Sequence, residues 1–565
     1  MTEPPRWTLA YIAALSGVTG IVLAVSAFLI RGPSTQPDEL SYLLNGRVLT
    51  GHEETPLPNV RALYQAGYSM VTAVGAVFGA SIDVQFRLSL FLNMVFVVLT
   101  GLTLYALMKR HFSVSSRWAA LIAVTISIAP SVAAFSLFAY AESLSRLLVA
   151  VVVLLVCEIS KSPSMWNMIG TGAVAGFLPI VHGRFVLLLP LTIIAIVVAG
   201  LVSRPKNYAA IAAGISTSVV VYLAFDRVNT FLQDDLYLAS TGKEDRILNR
   251  MSTLSEWPHI LRSGAGQMWY LISTSFGLAF VGLAVMSIAL WKHLSQRSWR
   301  EALPAVYIIG MVSVVALTSS VQLAHITRPD HLIYGRYVEA VSPVLVAIGC
   351  AALLASSRWR LWGIGLFTIV VLATTLLIAT DGDRLRQMIS ANRYFSPPNA
   401  IALDWTRDFF APIGYVILSA VFIAISLVLL VMWHKSATTA VVMLCAIGSL
   451  ATIYTATQTV IPYREIRDDM VLDNHIERLT DADKRSDTDI GIDIDTTAVN
   501  AFVDYRYLVH PIQVLPIDNG DTVPRDVNCV ISTDTKPPAE TGWTDQGAEP
   551  VLDLTLWMRE GLDSC

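Results

Sequence analysis

The chain has 565 residues, 54% hydrophobic and 15% charged, with a mean hydropathy of +0.58, where soluble domains carry roughly 25% charged residues. That balance excludes an ordinary soluble enzyme, a secreted disulfide scaffold and a disordered chain. The net charge of -4 hides a division: residues 460–565 hold 9 Lys and Arg against 22 Asp and Glu, net -13, and the remainder holds 30 against 21, net +9.

A helix needs about 20 apolar residues to cross the hydrocarbon. On that criterion spans are predicted near 8–30, 87–108, 118–138, 143–160, 165–181, 185–203 and 208–225, then near 266–291, 302–323, 338–356, 361–380, 410–433 and 437–457, thirteen in all. The first has no small-residue cleavage site within reach and is too long for a signal-peptide core, so it reads as retained. Orientation follows from Lys and Arg in short loops. With the N-terminus inside, one set of loops collects Arg6, Lys109, Arg110, Arg117, Lys161, Arg204, Lys206 and, later, Lys292, Arg297, Arg300, Arg358, Arg360 and Lys435, with few acids. The expectation is a multi-pass plasma-membrane protein with a cytoplasmic N-terminus and an extracytoplasmic acidic tail.

The opposite loops differ. The first external loop, 31–86, holds an acidic pair, several aromatics and the semi-apolar stretch 66–79, which is too short and Gly-rich for a span and reads as helices lying in the interface. Segments 226–265, 324–337 and 381–409 are further outer loops, where function usually lives. Past the last apolar run, Gln458 and Pro462 mark the clearest domain junction. It divides a membrane module, 1–458, from an acidic domain, 459–565. In the latter, 489–495, 512–517 and 527–532 read as strands and 498–507 as a short helix, giving a small α/β domain. Of five cysteines, Cys157, Cys350 and Cys445 fall in spans and pack as apolar groups. Cys529 and Cys565 lie in the tail, where an oxidising compartment permits a disulfide between them.

Ionisable residues near spans are costly and are candidates for function. Asp38, Glu39, Glu142, His182, Arg184, His325, Arg328, Asp330, His331 and Arg336 all fall on the external side, although none was used to set the topology. In Gln36-Pro37-Asp38-Glu39 a carboxylate can act as general base on a hydroxyl or bind a divalent cation such as Mg or Mn, or simply cap a solvated helix. Adjacent side chains diverge by about 100° on a helix, so Asp38 is taken as the base and Glu39 as its support. Glu142 opens a span at its outer end, where capping is an alternative role. His182-Gly183-Arg184 stands between two apolar stretches, and an Arg there suits a phosphate through its planar fork or a lipid headgroup by snorkelling. Arg336, in Tyr334-Gly335-Arg336-Tyr337, is a second outer cation at a span start. Tyr334 and Tyr337 suit either an aromatic belt or stacking on a sugar ring.

No P-loop, GxGxxG, HExxH or CxxC pair is present, and the spans lack a chain of midplane charges such as an ion-coupled pump carries. An external site without nucleotide chemistry needs a donor already activated in the membrane, and a lipid phosphate-linked sugar meets that need.

In order and position these motifs resemble the GT-C superfamily of polytopic glycosyltransferases, which includes protein mannosyltransferases, lipid A aminoarabinose transferases and actinobacterial arabinofuranosyltransferases. Pro37-Asp38-Glu39 sits in the first external loop. Gly67-Tyr68 to Asn93 looks like the family's interfacial helix and second span, and Glu142 like its second external acid. Gly183-Arg184 before Leu187 to Pro190, and Gly335-Arg336-Tyr337 to Pro343, look like its outer arginine segments. Together these motifs cover about 300 residues. The resemblance implies an α-helical polytopic GT-C protein that transfers a sugar, with inversion, from a polyprenyl-phosphate donor to an extracytoplasmic glycan, glycolipid or protein of the cell envelope. It implies Asp38 as general base, Arg184 and Arg336 on the donor phosphate, and Glu142, His182, His331, Tyr334, Tyr337 and Tyr68 near the substrates. A metal is neither demanded nor excluded, and no nucleic-acid partner is expected. The chain departs from several arabinosyl members in having Asp-Glu rather than Asp-Asp, and a small acidic domain in place of a large carbohydrate-binding tail. Two rivals are weighed. A transporter or flippase needs polar groups near the midplane, and a polysaccharide polymerase or ligase is expected to carry its Arg and His in a large late loop.

Overall fold

The computed structural model describes residues 3–30, 32–33, 37–52, 54, 64–77, 81–203, 206–236, 249–324, 336, 338–355, 362, 364–375, 412–472, 490–493, 514–517, 523, 527–532, 542–549 and 554–561. Its helices follow the apolar runs. They are α1 (Arg6–Leu29), α2 (Pro37–Val48), α3 (Ala66–Val77), α4 (Ile82–His111), α5 (Ser116–Ser127), α6 (Pro130–Ala133), α7 (Glu142–Lys161), α8 (Met165–Val181), α9 (Leu188–Val202) and α10 (Tyr208–Leu236). After these come α11 (Trp257–Thr274), α12 (Leu278–Ser295), α13 (Trp299–Gln322), α14 (Ser342–Ala355), α15 (Ile364–Thr375), α16 (Pro412–Lys435) and α17 (Ala437–Leu472). Among the described residues eight helices are long and apolar enough to cross a membrane, and nine if a bent pair counts as one span. The remaining four of the thirteen expected spans coincide with the shorter apolar helices Met165–Val181, Glu339–Ala355 and Ile364–Thr375 and with α16.

Two expectations are corrected. The stretch 266–291 is not one span: α11 ends at Thr274 and α12 starts at Leu278, separated by Gly277 at φ 78. A left-handed residue breaks the helical path, and glycine adopts that conformation at little cost. Hydropathy averaged over the window passes across such a break unseen. The stretch 118–138 bends by 63° between α5 and the 130–137 segment, because Ala129, which precedes Pro130, is extended, as the proline ring demands of its neighbour. Further on, α17 continues as one helix to Leu472, past Gln458 and Pro462.

Close packing of α8 on α10 builds the wall behind the site. A Cβ on Gly172 would lie 2.2 Å from the Gly214 carbonyl oxygen, and one on Gly176 2.4 Å from that of Ser218. Small residues four apart on both helices let the backbones touch, which is how helices associate in a medium that offers no hydrophobic drive. The short helix α3 is more than interfacial: Ala66, Gly67, Tyr68, Ser69, Thr72, Ala73, Gly75 and Ala76 are buried.

The tail carries a five-stranded sheet of order β2-β1-β3-β5-β4, with β1 (Ile490–Asp493), β2 (Val514–Ile517), β3 (Cys529–Ser532), β4 (Trp543–Glu549) and β5 (Leu554–Arg559). β1 lies parallel to β2 and β3, while β5 is antiparallel to β3 and β4. The three expected strands are present; the expected helix at 498–507 lies outside the described residues. Alternation gives the sheet two faces. Val530 and Trp557, cross-strand partners, join Val523, Val527 and Trp543 in the domain's own core. Their neighbours Ile531 and Leu556 turn the other way, into an apolar cluster with Leu40, Leu43 and Leu44 of α2.

Candidate active site

Asp38 and Glu39 occupy the first turn of α2, where carboxylates are favoured by the helix dipole. Their side chains diverge as expected. Glu39 turns inward, 1% exposed, and its Oε1 accepts the Ala139 N–H at 2.6 Å, which ties α2 to the loop before α7. Asp38 stays at the surface with a side chain 21% exposed, and its Oδ2 lies 2.6 Å from Arg336 Nη2. The Tyr64 hydroxyl donates to Asp38 Oδ1 at 2.5 Å.

Arg336 is the hub. Its Nε donates to Glu142 Oε1, and its guanidinium carbon lies 4.1 Å from the centre of the Tyr140 ring, a cation–π contact. Arg184, 4% exposed, donates from Nη1 to the Arg336 carbonyl at 2.8 Å, and its Nη2 is 3.7 Å from Glu142 Oε1. His182 sits against Arg184, its Nδ1 accepting from Arg184 Nε at 3.1 Å, so it buttresses the arginine. Glu142 Oε2 is buried with no hydrogen-bond partner among the described residues. The gap lined by Glu142, Ser145, Arg146, Arg184, Phe185 and Arg336 holds ≈ 190 Å³ of interatomic space, none of it wide enough for a water. Two carboxylates and two guanidiniums, from four segments distant in the sequence, thus form a closed and electrically balanced set.

Beneath it lie aromatic supports. Tyr42 packs edge-on against Tyr64 and Tyr68. Burial first, then the negative charges of Glu142 and Asp38, push the Tyr42 hydroxyl well above its ordinary range, so it remains a protonated donor. Tyr68, expected near the substrates, is fully buried and accepts from Asn93 Nδ2 at 2.8 Å; it packs under the site instead of facing into it. Among the other expected residues, His331, Tyr334 and Tyr337 lie outside the described residues, as do His325, Arg328 and Asp330. In the tail, Cys529 is disulfide-bonded, Cys157, Cys350 and Cys445 are free, and Cys565 lies outside the described residues.

Sequence reasoning missed a second ion pair one helical turn deeper. Arg146 Nη2 lies 2.9 Å from Glu339 Oε2, with both side chains 1% exposed, and the Tyr270 hydroxyl donates to Glu339 Oε1 at 2.8 Å. A signal was present: Glu142 and Arg146 are four apart on α7, and Arg336 and Glu339 three apart in the other segment, so each pair can share one helical face. The two segments meet with opposite charges in register. Among the described residues no three His, Cys, Asp or Glu side chains converge as a metal-ligand group.

No family model and no curated protein matches the sequence. Solved structures do match the fold. ArnT from Cupriavidus metallidurans bound to undecaprenyl phosphate aligns over 98% of this chain and 97% of its own, at 15% identity and a TM-score of 0.55. The same protein in its apo state aligns over 90% and 86%, at 15% identity and a TM-score of 0.51. The mycobacterial arabinofuranosyltransferase AftD covers all of this chain with 40% of its own, at 11% identity and a TM-score of 0.44.

Proposed function

The chain has the GT-C glycosyltransferase fold, and from that premise we propose that it transfers a sugar from a polyprenyl-phosphate donor to a hydroxyl of a cell-envelope glycan, glycolipid or protein on the extracytoplasmic side. The observation that carries the proposal is Arg336 held between Asp38 and Glu142, with Arg184 bound to its carbonyl. A phosphate offers that guanidinium the same bidentate, charge-assisted bonds as the two carboxylates do. The ArnT structure with bound undecaprenyl phosphate shows that this fold accommodates a polyprenyl phosphate in that protein. The basic loops orient the chain with the N-terminus in the cytoplasm.

In the proposed reaction the donor phosphodiester draws Arg336 away from Asp38, opening the gap and releasing the base. The acceptor hydroxyl then attacks the anomeric carbon from the face opposite the phosphate. Its proton passes to Asp38, the bond between the anomeric carbon and the phosphate oxygen breaks with its electron pair on that oxygen, and the configuration inverts. One negative charge thus leaves Asp38 as one is gained by the phosphate, and Arg336 and Arg184 follow it. A phosphate leaving group needs cations for its growing charge and no carboxylic acid to protonate it, in contrast to glycoside hydrolysis. Glu142, which stays on Arg336 and Arg184, holds the pair in place, and Glu39 fixes α2. We assign His182 to orienting Arg184, and His331, Tyr334 and Tyr337 to the sugar and acceptor side. Cys529 is assigned a disulfide with Cys565 that braces the acidic domain.

The test is transfer by purified protein in lipid, with polyprenyl-phosphate arabinofuranose, mannose and aminoarabinose as donors. With the donor that works, Asp38→Asn is expected to lower the transfer rate about a thousandfold while donor binding persists. Transfer by Asp38→Asn at the wild-type rate would remove Asp38 as base.

A further inference from the structure

The other end of α7 holds a second polar site. Glu142 and Lys161 are the two ends of a 20-residue helix, which at 1.5 Å per residue places them about 30 Å apart. There a cavity of ≈ 520 Å³ opens between the end of α4, the last turns of α7 and α12, and the start of α13. Its volume lies within the range of small-molecule sites. Nothing in the transfer reaction uses it.

Its lining is graded. Cys157, Met286, Ala289, Pro304 and Ala305 form the apolar part, and Lys161, His293 and Arg300 the polar rim, beside His111 and Glu301. On α12, Met286, Ala289 and His293 fall at i, i+3 and i+7 and so share one face. That face runs from apolar to basic over about 10 Å. Arg300 is anchored by a reciprocal pair of bonds: its Nε donates to the Ser160 carbonyl at 2.6 Å, and Ser160 Oγ donates to the Arg300 carbonyl at 2.8 Å. Lys161, next to Ser160, donates to the Arg110 carbonyl at 2.5 Å.

The charges there do not cancel. Glu158 is engaged by Arg110 at 3.3 Å and His111 at 3.2 Å, and Glu301 by His293 at 3.1 Å. Both nearby carboxylates have other partners, the histidines as hydrogen-bond partners whatever their charge, while Lys161 and Arg300 have no carboxylate within ion-pair distance among the described residues. Two cations at the rim of an apolar-floored cavity, each held on a backbone carbonyl, call for an anion with a hydrocarbon tail. A soluble phosphate would leave the floor unfilled, whereas a phospholipid presents acyl chain and phosphate in the same order as the cavity does. We propose that this cavity binds the headgroup and upper acyl chain of an anionic phospholipid from the leaflet opposite the Asp38–Arg336 site. Basic pockets between spans at a membrane surface are suited to such headgroups.

The proposal stands apart from the transferase assignment and is tested without it. The purified full chain in detergent is titrated with phosphatidylglycerol, with phosphatidylcholine, and with phosphatidylglycerol in the presence of inorganic phosphate, and bound lipid is counted by native mass spectrometry. Wild type is expected to retain phosphatidylglycerol over phosphatidylcholine. Lys161→Gln combined with Arg300→Gln should bind phosphatidylglycerol about thirtyfold more weakly, the factor for two lost cation contacts at a membrane surface. Lys161→Arg combined with Arg300→Lys keeps both charges and should keep the preference, which separates charge from misfolding. Equal retention of the two lipids by wild type would overturn the proposal, as would undiminished phosphatidylglycerol binding by the Gln double variant. Displacement of the lipid by inorganic phosphate at comparable concentration would overturn it in favour of a soluble anion.

Discussion

Two ion pairs join the same two segments of this chain and differ in depth. The outer pair, Arg336 with Glu142, has side chains 12% and 5% exposed, and Arg336 also reaches Asp38 at the surface. The inner pair, Arg146 with Glu339, is 1% exposed on both sides, with Phe135 against the guanidinium. A charge at the rim can exchange one partner for another because incoming ligand and water meet the cost of separation. A charge sealed from water has no such replacement, and breaking its pair leaves an uncompensated ion in a poor solvent. The outer pair is therefore suited to handling a substrate phosphate, and the inner one to holding α7 against the 336–341 segment so that the outer one stays in register.

The sharpest way to break this contrast is the inner pair. Arg146→Met should destabilise the fold by about 3–5 kcal/mol, read as a lower melting temperature in detergent, and Arg146→Met with Glu339→Leu should recover most of that loss. If the single variant melts like wild type, the inner pair is no clamp. At the outer pair, Arg336→Lys keeps the charge and loses the fork that spans Asp38 and Glu142. It should leave melting nearly unchanged while transfer falls about tenfold. A comparable loss of stability there would erase the distinction between the layers. Smallest of all, Tyr64→Phe deletes one hydrogen bond to Asp38, worth about 1 kcal/mol, and should change the rate about fivefold with no shift in melting; an unchanged rate would show that Tyr64 does not orient the base.

Much of the helical plan was legible because lipid imposes length and hydropathy on every span, and each of the thirteen predicted stretches meets an apolar helix. Where prediction slipped, the cause was local conformation. Gly277 breaks a helix inside an apolar run, and the extended residue before Pro130 bends another. In the tail, β4 (Trp-Thr-Asp-Gln-Gly-Ala-Glu) lacks an apolar alternation and is defined only by pairing with β5 across a register shift between Asp545 and Gly547.

The site divides in the same way. Asp38, Glu142, Arg184 and Arg336 could be grouped on one side of the membrane from the spacing of the apolar runs alone, because charge is expensive in hydrocarbon and its placement in the chain is informative. Sequence by itself determined which stretches are apolar enough to cross a bilayer and which polar residues fall between them on one and the same side, since both follow from transfer of short segments between water and lipid. Only the tertiary structure decided that Arg336 bridges Asp38 and Glu142, that Tyr68 is buried beneath them, and that Arg146 finds Glu339 across 193 residues. Such partners are selected by close packing of whole helices, and that packing energy belongs to no segment alone.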